Sequence, residues 1–97
     1  MRTRNLVTAA DRDHRGAILR LAVGIADGAS DVWLARPVPQ SEMVIARRIR
    51  AGESFQLLLD GRPGPRLGIV AADGVDRVVA LEDDAPTAAP FDALPPC

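Results

Sequence analysis

At 97 residues, with 47% apolar and 26% charged side chains, the chain suits one domain with one hydrophobic core, and its composition excludes both a fibrous repeat and wholesale disorder. No apolar run approaches the roughly 18 residues needed to span a bilayer, which excludes a membrane-crossing helix. The net charge of −1 and the pI near 5.7 give no general bias toward polyanions, although charge is unevenly placed: 9 arginines against 5 acids in residues 1–50 (net +4), and 3 against 8 in residues 51–97 (net −5).

The first predicted strand is the apolar run Leu6 to Ala10. It ends at Asp11-Arg12-Asp13-His14-Arg15-Gly16, where the chain's single histidine stands among two carboxylates and two guanidinium groups. Asp11, Asp13 and His14 are ligand-capable, but three such residues within four positions do not easily surround one ion. No second histidine or internal cysteine completes the set, and Arg12 and Arg15 repel a cation. General-base chemistry at His14 needs a held nucleophile, to which nothing in the sequence points. The stretch reads as a solvated loop tip.

From Ala17 a period of two appears: Ala17, Leu19, Leu21, Val23 and Ile25 alternate with Ile18, Arg20, Ala22 and Gly24, predicting a strand with one strongly buried face. "ADGAS" supplies a turn. "DVWLAR" then resumes an extended segment that is expected to stop before Pro37 and Pro39, which lack the amide donors a ladder needs. Trp33 within it reads as a core anchor, and so does Phe55 further on.

Ser41 is the predicted N-cap of a helix from Glu42 to Ala51, with Glu42 suited to the positive end of its dipole and Gly52 to a left-handed stop. At 100° per residue Ile45, Ala46 and Ile49 share one face, Arg47 points away from it, and Arg48 and Arg50 flank it. A helix this short needs a packing partner, and the sheet is the obvious one. "SFQLLLD" places Phe55, Leu57 and Leu59 on one face, "GRPGPR" reads as an irregular turn, and "LGIVAA" as a further strand. Asp73-Gly74 is the strongest hairpin signal, because a type I′ turn needs positive φ at both central residues; Val75 to Leu81 is expected to pair back.

The expected fold is therefore α+β: a mainly antiparallel sheet of five to six strands with one short helix on one face, in the order β-β-β-α-β-β-β. Residues 1–97 form one domain in this reading, with residues 1–4 frayed and the acidic, Pro-rich segment 82–97 docked through Phe91 and Leu94.

The motifs "VIARRIRAG", "SFQLLLDGR" and "LGIVAADGVDRVVAL", with the ending "FDALPPC", resemble the small bacterial family called domain of unknown function 3892. The resemblance runs over residues 40–97, with a weaker echo upstream in "ADGASDVWLA". The chain departs from the family pattern at Val78, Val79 and Ala80, where aromatic and basic residues are expected. What the resemblance implies is a bacterial fold unit whose tail belongs to the domain; it implies no activity. The absence of lysine beside abundant Arg, Ala, Gly, Pro and Val fits a GC-rich genome.

No catalytic residue, metal ligand or cofactor site is expected. "GRPGPR" and "AADGVD" lack both the P-loop spacing and the dinucleotide fingerprint, and Cys97 has a carboxylate beside it that disfavours the thiolate. A lone cysteine fits a reducing compartment, and "MRTRN" runs into strand-like pieces instead of a signal-peptide apolar region, so a cytoplasmic protein is expected. The candidate contact residues are Arg47, Arg48, Arg50 and Met43 on the helix, with Val44 beside them. The leading expectation is a non-enzymatic module that binds a protein partner, or self-associates through an exposed strand edge. The alternative is a nucleic-acid-binding accessory protein using the arginines of the helix and the N-terminal half, against which 3 aromatics and a negative net charge count.

Overall fold

The N-terminal alternation folds into a three-strand meander. In the computed structural model, which describes residues 2–30, 32–83, 85–87 and 89–97, β1 (Thr3–Arg12) pairs antiparallel with β2 (Ile18–Asp27), and β2 with β3 (Trp33–Ser41). Helix α1 (Glu42–Arg50) leads into a second meander of β4 (Phe55–Leu59), β5 (Arg62–Ala72) and β6 (Val75–Glu82). A short β7 (Ala85–Thr87) and a 3-10 turn over Ala89–Ala93 follow. The first strands of the two meanders, β1 and β4, lie side by side in parallel, giving the order β3-β2-β1-β4-β5-β6-β7. A parallel pair requires a crossover, and α1 provides it. The chain is α+β with the expected β-β-β-α-β-β-β order. The sheet holds seven strands, because the segment after β6 adds one more along its edge.

The inner face of the sheet closes around α1, which touches β2, β3, β5 and β6. A bulge in β1 between Val7 and Ala9 shifts the strand by one residue, so that Val7 and Ala10, opposite Val23 and Leu21, point to the same side. With Phe55, Leu57, Leu67, Val78 and Ala80 they surround Ile45 and Ala46 of the helix and Phe91 of the 3-10 turn. Ile45 and Ala46 are buried and Ile49 packs partly against them, as the helical period predicts. Each large side chain so enclosed contributes about 2 kcal/mol.

Both helix ends are satisfied. The Ser41 hydroxyl accepts a bond from the Val44 amide at 3.3 Å. At the other end Gly52 takes φ 99°, and the Gly52 and Glu53 amides donate to the carbonyls of Ile49 and Arg48. Asp73 and Gly74 adopt φ of 52° and 77° between the paired residues Ala72 and Val75, the backbone a type I′ hairpin turn demands.

Several local expectations are corrected. Trp33 is not a core anchor; it is 37% exposed and lies on the outer face, away from α1, where it covers Gly24. That cover buries Ala22, Gly24 and Ala26, so the middle of β2 is enclosed on both faces, whereas Leu19, expected inside, is 51% exposed. The third strand does not stop at Pro37; it runs through both prolines to Ser41. β3 is an edge strand, and its pairing with β2 shifts register between Val23 and Ile25, so Pro37 falls at an irregularity where no regular ladder bond is due. "GRPGPR" is not an irregular turn. Asp60 and Gly61, with φ of 49° and 75°, make a second tight turn, and Arg62 onward is strand. Thr3 and Arg4 pair with Asp27 and Ala26, while Met1, Asp31, Asp84 and Ala88 lie outside the described residues.

The two sheet edges are poor templates for strand addition. β3 carries its two prolines, and β7 is three residues long with Pro86 at its centre. Beyond the reach of β7, the Val78 amide donates to Glu42 Oε2 at 3.1 Å, so the first turn of the helix covers the open edge of β6. Among the described residues no helix is long and apolar enough to cross a membrane.

Candidate contact surface at the helix flank

Three of the arginines singled out in the sequence lie on one helix, but they do different things. Arg48 makes a two-pronged ion pair with Glu53, Nε to Oε2 at 2.9 Å and Nη2 to Oε1 at 2.8 Å, and donates a third bond to Gln40. Its guanidinium also lies 4.8 Å from the centre of the Phe55 ring. Arg48 thus ties α1 to β3 and β4 and is a structural residue. Arg50 makes a similar pair with Asp76 on β6, at 2.5 and 2.7 Å. Arg47 is exposed and has no ion pair among the described residues.

Arg47 instead lines a groove of about 280 Å³ between α1 and the β5–β6 hairpin, with Glu42, Met43 and Ala46 on the helix side and Gly74, Val75 and Asp76 on the hairpin side. Met43 and Val75, 60% and 55% exposed, are two open apolar side chains that share this groove. Val44, also exposed, adjoins Met43 on the helix. The Arg50–Asp76 pair and the longer Arg77–Glu42 contact, at 3.4 Å, tie the hairpin to the helix. The structure brings Met43 and Arg47 into one groove, while Arg48 is engaged by Glu53 and Gln40 and Arg50, though exposed, is paired with the groove residue Asp76. Val75 was missed from sequence; the available signal was a valine directly after a tight turn.

The His14 loop is built from its own acids. Asp13 Oδ1 accepts from the Arg15 and Ala17 amides at 2.8 and 2.9 Å, closing the β1–β2 turn. Asp11 is engaged by Arg20 at 2.6 Å and by the Cys97 amide at 2.9 Å, and Arg12 pairs with Asp92. His14 itself is exposed at the tip. The residues of this stretch point to separate partners and do not converge on a shared centre.

These pairs set the acid response of the domain. The Arg50 and Arg48 side chains hold the Asp76 and Glu53 carboxyls below the ordinary range, and the Cys97 amide, then Arg20, does the same for Asp11. Carboxyls depressed in the folded state contribute stability above their unfolded pKa and lose it as pH falls through the folded value. The urea midpoint is expected to hold from pH 7 to about 5 and to fall below about pH 4. The Asp76→Asn, Glu53→Gln double variant should show a shallower acid limb; an unchanged limb would contradict this assignment.

The Cys97 thiol is pushed up by burial and by the nearby Asp11 carboxylate, so it is a poor nucleophile at neutral pH. Comparison of the chain with protein-family models, with curated proteins and with solved structures gives no match.

Proposed function

We propose that this chain is a small non-enzymatic module that binds a protein partner through the groove between α1 and the β5–β6 hairpin. The observation that carries this reading is the meeting in one groove of two open apolar side chains, Met43 and Val75, with Arg47, which has no ion pair among the described residues. A partner segment with one apolar anchor and a neighbouring carboxylate fits such a surface, since the anchor gains burial and the charge gains a partner in a partly desolvated setting. Self-association through a strand edge fits less well, given the prolines of β3 and β7 and the Glu42 cover on β6. A cytoplasmic setting goes with the free thiol of Cys97. The likeness to the domain of unknown function 3892 adds no activity to this reading.

The test is affinity purification with the whole chain as bait, comparing wild type with the Met43→Asp, Val75→Asp double variant. Both positions are open, so the variant should keep its urea midpoint. A stoichiometric partner retained by wild type and lost by the variant supports the proposal; a partner retained equally by both overturns it. The alternative, nucleic-acid binding by the arginines of the helix and N-terminal half, predicts a salt-dependent gel shift abolished by Arg47→Glu. The ion pairs that occupy Arg12, Arg20, Arg48 and Arg50 weigh against it.

A further inference from the structure

Away from the protein-binding groove lie two adjoining clefts, one on the outer face of the sheet and one at the neighbouring ends of β1 and β4. The first, about 160 Å³, has Trp33, Leu58 and Pro63 among its walls and Leu6 and Ala26 beneath. A chamber near 150 Å³ with apolar walls accepts one benzene-sized ring. The second cleft, also about 160 Å³, is of mixed character, with Ser54, Gln56, Asn5 and Arg66 around it and Phe55 also in its lining. Arg4 lines both clefts and donates to Gln56 Oε1 at 3.0 Å, forming the wall they share.

Charge separates these clefts from the others. The helix-flank groove includes Glu42 and Asp76, and the cleft beside the tail includes Asp11 and Asp92. Among the described residues these two clefts are lined by arginine and by no carboxylate. Arg66 has no ion-pair partner among the described residues; its one described bond is a 3.5 Å contact with Ser54 Oγ, at the long limit for a hydrogen bond. Asn5 and Gln56 already donate to the Ser54 and Gly64 carbonyls, so the Arg66 guanidinium, with the Ser54 hydroxyl beside it, is the group an oxyanion would meet. One ring-sized chamber walled by an indole, adjoining one anion-sized chamber with this guanidinium, defines a ligand with a flat ring at one end and a phosphate at the other.

We propose that the two clefts together bind a small aromatic phosphate of the size of a nucleoside monophosphate, with its ring against Trp33 and its phosphate on Arg66. The chain has one tryptophan and no tyrosine, so its intrinsic fluorescence reports the ring chamber directly. Titration with adenosine 5′-monophosphate should change Trp33 emission saturably, and adenosine should bind about tenfold more weakly for want of the charge-assisted bonds. Arg66→Gln, at an exposed position, should lower the affinity for the monophosphate to the level of adenosine and leave that for adenosine unchanged. By calorimetry, Trp33→Ala should weaken the monophosphate about fivefold or more, and Trp33→Phe by less. Absence of a saturable response at millimolar monophosphate overturns the proposal, and so does an Arg66→Gln variant that binds as tightly as wild type. Because the helix flank is untouched by these variants, either result leaves the protein-binding reading to its own test.

Discussion

Replacing Phe91 by alanine is expected to lower the unfolding free energy by about 3–5 kcal/mol, the largest effect of any single truncation outside the two central strands. The ring is 1% exposed and stands in the same cluster as Val7, Leu21, Ile45 and Leu57, although it arrives from a segment that sequence alone presents as an acidic tail. The 3-10 turn aims it inward, with the Leu94 amide closing onto the Phe91 carbonyl at 3.1 Å. The Ala10 amide then donates to the Pro95 carbonyl at 2.9 Å, binding the tail to β1. In a domain whose whole stability is on the order of 5–15 kcal/mol, such a loss brings the chain close to unfolding at room temperature. Urea denaturation followed by far-ultraviolet circular dichroism measures it. Asp92→Asn, which removes the exposed end of the Arg12 pair, should change stability by less than about 1 kcal/mol. If the two variants are equally mild, the tail is not part of the core.

How legible this fold was depends on which interactions set each element. The helix was readable because its determinants are local: Ser41, Gly52 and the Ile45, Ala46, Ile49 stripe specify its ends and its buried face without reference to the rest of the chain. The Asp73-Gly74 turn was readable for the same reason. Asp60-Gly61 is the same signal, but the prolines after it, Pro63 and Pro65, look like turn residues when their place in the sheet is unknown. Whether a proline is tolerated depends on whether its missing donor faces a neighbour or water, and that is a property of the assembled sheet. Leu19 and Trp33 failed together for a related reason. Strict alternation assumes one wet face and a core that reaches the strand's end, whereas β3 bends Trp33 over β2 and dries the second face, and Leu19 lies past the enclosed cluster in the open cleft beside the tail.

The candidate site was half legible. Met43 and Arg47 are legible as open positions because they stand off the apolar stripe of a helix whose phase the sequence defines. Arg48 and Arg50 were grouped with them because sequence shows charge without its counter-charge. Glu53, five residues past Arg48, is close enough to have been suspected, but Asp76 meets Arg50 only through the packing of β6 against the helix. The sign imbalance between the halves of the chain was the available clue. Among the described residues, two ion pairs join an arginine of the first half to an acid of the second across separate elements, Arg12 to Asp92 and Arg50 to Asp76, and Arg48 to Glu53 spans the same divide. The excess arginines of the first half thus meet acids of the second, while Arg77 to Glu42 runs the other way.

Substituting Gly24 by alanine is expected to destabilise the domain by about 1–3 kcal/mol, against the usual gain that a side chain brings to a strand interior. A Cβ built there lies 2.5 Å from Trp33 Cζ3 and 3.0 Å from both Cγ and the backbone nitrogen of Pro37, so the indole and the edge strand must both retreat. Glycine is required at this point by close approach, not by φ: Leu6 of β1 stands opposite it, and Trp33 closes over it to form the wall of the ring-sized cleft. The cost should be shared between two neighbours, which a double-mutant cycle separates. In a Trp33→Ala background the indole clash is gone and only the Pro37 contact remains, so Gly24→Ala should cost less than in wild type, with a coupling of about 1 kcal/mol or more. Urea midpoints of the four chains measure the coupling, and the emission maximum of Gly24→Ala should move to longer wavelength as the indole lifts into water. Additive effects, or an unmoved emission maximum, would mean that Trp33 does not rest on Gly24 in solution and that the outer cleft lacks its wall.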